Sequence, residues 1–248
     1  MQTIYILWLR QIKRYLRSRA RIVGSLGQPL LFLIALGFGF GPIYQKANGG
    51  NYVDFIAPGV ICMSILFTSV FSGIEIIWDR QFGFLKETLV APVPRLHIMI
   101  GRTIGGATVA CLQGLIVFGI TLLVGFRPEN ALLIPLAFAI MFLIAMLFTA
   151  VGTSIACLLE DFQGFQLIMN FLVMPLFFLS GSLFPLEGAP AALTIIARFD
   201  PLSYGVDALR ATLTGISHFG ITQDATILIA LTVFMMAIGA KLFSRIQA

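Results

Sequence analysis

Six uncharged, strongly apolar runs decide what this chain can become: residues 22–45, 55–74, 103–126, 130–159, 162–186 and 225–240. Each is long enough, or nearly so, to cross a hydrocarbon core, which takes a helix about 20 residues at about 1.5 Å each. A helix satisfies its own backbone hydrogen bonds in lipid. A membrane barrel would instead show segments of about ten residues alternating polar and apolar, and these runs are apolar on every face. The sixth run reaches full length when Lys241 snorkels toward the headgroups. Composition agrees, since 58% of the 248 residues are hydrophobic and only 11% charged, where soluble proteins average roughly a quarter charged. The expected fold is an all-α integral membrane protein of six transmembrane helices, occupying residues 1–248 as one domain. The first run is expected to be a span and not a cleavable signal, because a basic segment precedes it and no Ala-x-Ala site follows.

Six spans place both termini on one side. That side then holds Arg10, Lys13, Arg14, Arg17, Arg19, Arg21, Arg80, Lys86, Arg95, Arg102, Lys241 and Arg245, against Lys46, Arg127, Arg198 and Arg210 on the other. Twelve cations against four put the termini in the cytoplasm by the positive-inside rule. The net charge of +5 therefore needs no nucleic acid. In the first 21 residues, Arg10, Lys13, Arg14, Arg17 and Arg21 recur at three- and four-residue steps, while Ile4, Trp8, Ile12, Tyr15 and Leu16 lie largely opposite. This pattern predicts an amphipathic helix in the inner interface, its aromatics at headgroup level and its cations against anionic lipid. It is a topology anchor, a contact surface for a cytoplasmic partner, or both.

The connections differ in character. Residues 41–52, with Asn-Gly-Gly, read as a short external loop. Glu75 falls near the inner end of the second span, either paired with a base on a neighbouring helix or coupling motion across that face. The longest inner loop carries Asp79, Arg80, Phe82, Phe84, Leu85, Lys86 and Glu87 before Pro92 and Pro94. It is expected to form a short amphipathic helix stopped by the prolines, suited equally to a partner's groove or to the membrane surface. Glu160 and Asp161 make a tight inner turn. Outside, residues 184–224 are too apolar for a free loop, and the stretch 191–197 is too short to span, so one or two short re-entrant or capping helices are expected there. Asp200 before Pro201 is a candidate N-cap, with Asp207 and Arg210 on one face of the helix that follows.

Catalytic chemistry is not visible. No P-loop occurs, since none of the lysines follows a glycine, and His97 and His218 have no acids or cysteines at metal-ligand spacing. Ser180, Ser182 and Ser203 lack a histidine and acid nearby and read as buried or capping hydroxyls. No cofactor is expected. The spans carry almost no charge at mid-membrane, which argues against an ion-driven carrier and leaves the energy for any transport to a separate motor.

Three segments, FIAPGVICMSILFTSVFSGIEIIWDRQFGFLKETLVAPVPR (55–95), FFLSGSLFPLE (177–187) and DPLSYGVDALR (200–210), resemble the membrane subunits of ABC-2 type exporters. The resemblance covers essentially the whole chain. It implies a permease working as a homodimer in the cell membrane (the inner one in a Gram-negative cell), each copy contacting a separately encoded ATPase subunit, two in all. The docking surface would then be Arg10, Lys13, Arg14 and Arg17 with the loop 79–87, and residues 191–213, including Tyr204, would be re-entrant helices. Amphipathic or hydrophobic cargo moved outward is the implied activity. A membrane scaffold or assembly factor without a transport path is the alternative.

Overall fold

The computed structural model describes residues 2–48, 51–84, 93–186 and 189–244. Among the described residues all regular structure is helical: α1 (Gln2–Arg17), α2 (Arg19–Asn48), α3 (Tyr52–Phe71), α4 (Ile74–Gln81), α5 (Arg95–Val124), α6 (Ile134–Leu158, entered by a 3-10 turn), α7 (Phe162–Leu179), α8 (Ala191–Phe199), α9 (Pro201–Thr214) and α10 (Ile221–Ser244). Six described segments are long and apolar enough to cross a membrane, namely Arg19–Lys46, Tyr52–Gln81, Arg95–Val124, Ala131–Leu158, Phe162–Leu179 and Ile221–Ser244.

α3 is the axis of the bundle. Every residue from Ile56 to Leu66 is buried, as a helix apolar all round must be when neighbours enclose it. It packs on α2, α5, α6 and α9, while α10 lies along α6 and α9, and α1 lies along α5. α2 packs mainly on α3, α7 makes only sparse contacts spread over α3, α4, α6, α8 and α9, and the two leave Phe38, Phe40, Phe171 and Phe178 exposed.

Between helices in lipid there is little hydrophobic drive, so close approach of backbones has to supply dispersion contact. The α3–α4 junction shows this best. A Cβ on Gly73 would overlap the Gly152 carbonyl of α6, and a Cβ on Gly152 would overlap the Val70 carbonyl. Gly101 and Gly105 of α5 similarly seat α1, with Ile4, Leu7 and Gln11 against them.

Three expectations need correction. The segment 41–52 is no loop over its first part, because α2 continues to Asn48 with Pro42 inside it. Tyr44 packs on Tyr52 and Phe55 at 5.0 and 5.8 Å between ring centroids, and these contacts hold the last turns of α2 beside the start of α3. Two of the aromatics of α1, Trp8 and Tyr15, meet α5, with Trp8 Nε1 donating to Thr108 at 3.1 Å and the Tyr15 hydroxyl donating to Gln113, while Tyr5 stays exposed. Finally, α4 ends at Gln81, and Gly83 follows at φ +79°, so Phe82 sits in a turn beyond the helix. Leu85, Lys86, Glu87 and Pro92 lie outside the described residues, as does Arg245.

The crossing at Gly152 generates a test. Gly152→Val is expected to cost at least ~1–3 kcal/mol, the usual penalty of overpacking, read as a lower thermal midpoint in detergent. Gly119→Ala, where a Cβ meets nothing within 4 Å, should leave the midpoint unchanged.

Candidate functional site

At the end of the bundle that carries the N terminus, the four-residue spacing of Glu75 and Asp79 puts both acids on one face of α4. Both are buried. Asp79 accepts from Arg10 of α1 at 3.2 Å and from Arg102 of α5. Glu75 lies 3.1 Å from Arg21 of α2 and 3.7 Å from Arg14 of α1. Buried carboxylates require such partners, because an unpaired charge there would be severely destabilising. Trp78, between the two acids, stacks on Phe162 of α7 at 6.0 Å and receives the Arg14 guanidinium at 5.2 Å from its centroid. Arg80 turns the other way and donates to the Leu159 and Cys157 carbonyls at 3.0 and 3.3 Å, satisfying the C-terminal end of α6.

Of the eight described residues expected to dock a partner, seven lie around one cleft. A cavity of about 880 Å³ lies between α1 and α4, lined by Arg10, Lys13, Arg14, Arg17, Trp78, Asp79, Phe82 and Phe84. Phe82 is 72% and Phe84 51% exposed. Arg80 is not among the lining residues. Arg10 and Arg14, expected against anionic lipid or a cytoplasmic partner, are engaged with α4 as well. Glu160 contributes its backbone carbonyl to Gln81 at 3.4 Å, and Asp161 caps α7 by accepting from the Gln163 and Gly164 amides at 2.7 and 2.8 Å.

At the opposite end, α8 and α9 fill the segment before the last span. Asp200 caps α9, accepting from the Leu202 amide at 2.8 Å, with Pro201 in the first helical turn. Burial pushes its carboxyl up to about 7, and the Leu202 amide only partly opposes this. The Tyr204 hydroxyl donates to the Arg198 carbonyl at 2.6 Å. Asp207 and Arg210 share a face but turn to different partners. Asp207 accepts from the His218 and Phe219 amides at 2.9 and 2.8 Å and from the Ser217 hydroxyl at 3.1 Å, closing the turn before α10. Arg210 donates to the Gly181 carbonyl at 3.0 Å and lies 4.3 Å over the Phe55 ring. Desolvation lowers its pKa, and the Asp207 carboxylate opposes that.

Sequence reasoning assigned Arg102 to a loop and missed its role. Its signal was a lone cation among Ile98, Met99, Ile100 and Thr103, two turns into a helix, which demands a buried acid. Gln113 and Asp224 were missed as well. Both are fully buried, and Asp224 lies beside Asp207.

A bundle of six helices long and apolar enough to cross a membrane, with a charged cleft at one end and short helices at the other, defines a multi-pass membrane protein. A profile of the ABC-2 type transporter family matches residues 2–214, and the chain belongs to that family. It is similar to Nodulation protein J of Rhizobium leguminosarum bv. viciae, 28% identical over 79% of this chain and 76% of that protein. It is also similar to the putative transport permease ycf38 of Cyanophora paradoxa, 29% identical over 85% of this chain and 73% of that one. Nodulation protein J of Sinorhizobium fredii is 23% identical over 94% of this chain and 90% of its own length.

Two outcomes follow from the geometry. Asp79→Ala strands the buried Arg102 and is expected to cost ~3–5 kcal/mol, whereas Arg10→Ala, at a side chain 44% exposed, should cost roughly 0–1 kcal/mol; chemical unfolding in mixed micelles measures both. For Asp200, the native acid holds its proton up to about pH 7 and the unfolded one releases it near about pH 4. The folded state is therefore the one that binds the proton, and stability falls as pH rises through this window. Asp200→Asn keeps the cap and should remove that decline, so its thermal midpoint at pH 8 exceeds that of the wild type while the two agree at pH 4.

Proposed function

We propose that the chain is the membrane half of an ATP-driven exporter, operating as a homodimer with two copies of a separate ATPase that dock at the cleft between α1 and α4. The observation that carries this reading is the pairing of exposed Phe82 and Phe84 with a wired helix behind them. Aromatic side chains on a charged rim are the kind of anchor a protein partner's groove accepts, and lipid alone gives no reason for α4 to be tied to α1, α2 and α5 at once. ATP binding draws the two ATPases together and moves α4. Because Glu75 and Asp79 clamp arginines from three helices, the displacement passes to α1, α2 and α5 as one unit.

The excess of cations at this end supports cytoplasmic termini in the cell membrane, the inner one in a Gram-negative cell. The exposed apolar faces of α2 and α7 support pairing of two permease copies there, with a path between them for amphipathic or hydrophobic cargo, carried outward. The transport-permease name of the Cyanophora relative is consistent with this.

The test replaces Phe82 and Phe84 together by serine. Loss of two anchors at about 2 kcal/mol each should abolish copurification with the cognate ATPase and ATP-dependent uptake into inverted vesicles, with insertion into the membrane unchanged. Normal copurification together with normal uptake would overturn the assignment.

A further inference from the structure

Another cavity, of about 330 Å³, opens on the flank of the bundle between α7 and α8, away from the cleft at the basic end. Its size lies near the lower end of the range of about 300–1,000 Å³ typical of small-molecule sites. Phe171, Leu176, Leu179, Ile196 and Phe199 line it, and Phe171 and Phe199 stand exposed at its rim. Asp200 is the one polar side chain on its wall among the described residues. This acid is 5% exposed. Its Oδ1 accepts from the Leu202 amide, and its Oδ2 accepts from nothing among the described residues. The acid is also deep. Arg210, toward the far end of α9, meets Gly181 just beyond α7, so Asp200, at the near end of the same helix, reaches back toward Phe171, halfway along that span. An ionisable group at such a depth is costly unless a partner meets it.

We propose that this groove binds a lipophilic ammonium, with an N–H on Asp200 Oδ2 and the apolar body of the ligand against α7 and α8. The wall selects that chemistry. One open acceptor serves one donor and cannot hold a head bearing several hydroxyls, and a carboxylate repels anions. A neutral donor would also reach Oδ2, but only a cation gains from the negative charge where the dielectric is low. The rest of the wall is hydrocarbon and aromatic and opens on the flank, so the ligand enters from the membrane. Burial pushes the Asp200 carboxyl up to about 7, with the Leu202 amide opposing, so near neutral pH the carboxylate is available to a cation. No other charge competes for it: α7 carries no titratable side chain, Arg198 of α8 is exposed, and the Tyr204 hydroxyl of α9 is spent on the Arg198 carbonyl. As a class of cargo the lipophilic amine rests on the export proposed above, whereas its binding does not.

Scintillation proximity on the full chain in phosphatidylcholine nanodiscs, without any ATPase, tests this with tritiated adamantylamine, a compact apolar cage carrying one ammonium. Adamantanol and adamantane carboxylate, of the same shape, serve as competitors, and empty nanodiscs give the partition background. The amine is expected to bind, and the alcohol and the acid to compete far more weakly. Aliphatic amines stay protonated to about pH 10, so within the groove only Asp200 titrates near neutrality. From about pH 6 to about pH 8 its ionised fraction grows about tenfold, and amine affinity should rise by the same factor. Asp200→Asn keeps the cap and should remove both the preference for the amine and its pH response. Leu176→Trp fills the groove, leaves the acid in place and should abolish binding, which keeps the test decisive if the first variant fails to insert. Equal affinity for amine and alcohol, an unchanged pH response in Asp200→Asn, binding retained in Leu176→Trp, or no binding to the wild type because a second copy covers the groove would overturn the site. A chain that binds the amine but drives no ATP-dependent uptake with its ATPase refutes the exporter and leaves the site standing, and ATP-driven transport of other cargo without amine binding does the reverse.

Discussion

Two carboxylates one helical turn apart, Glu75 and Asp79, organise the basic end of this protein. Between them they hold Arg10 and Arg14 of α1, Arg21 of α2 and Arg102 of α5. Buried ion pairs of this kind contribute little net stability over an apolar core, but removing one member is heavily penalised. Their effect is therefore on geometry. α4 has only eight residues, too few to hold its place by its own packing, and the arginines converging on it give it a single position relative to three longer helices.

The same logic of close fit without hydrophobic drive governs the spans. Gly73 and Gly152 let α3 and α6 meet backbone to backbone, and Gly101 with Gly105 lets α1 lie on α5. α2 and α7, which lack such contacts, leave Phe38, Phe40, Phe171 and Phe178 exposed, and α10 likewise exposes Val233 and Phe234. Packing within one chain is thus concentrated on α3, α5, α6, α9 and α10, and the periphery remains available to lipid or to protein.

The six spans and the two short helices between the last two were legible in the sequence, because uncharged runs of that length have one stable form in lipid and because Asp200 before Pro201 is a strong helix start. The cap on α7 by Asp161 was open to the same reasoning, although only the turn was read. Side-chain partners were not legible. The periodicity of α1 correctly separated its cations from its apolar residues, yet it could not say that Arg10 and Arg14 would find acids on α4 and not lipid phosphates, since that depends on how closely α1 approaches α5. The extension of α2 through Pro42 was hidden for a related reason: aromatic contacts of Tyr44 with another helix outweigh a local breaker, and sequence displays the breaker alone. Asp207 and Arg210 are three residues apart, and spacing suggests that they pair with each other; the structure spends the carboxylate on the turn at 217–219 and the guanidinium on Gly181.

One feature of α9 bears on where cargo can travel. All of its residues from Leu202 to Leu213 are buried, with α3, α6 and α10 packed around it. Side chains packed around α9 fill the centre of this end of the bundle among the described residues. For the export proposed above, this leaves the flank of the subunit as the route, with a second copy supplying its other side.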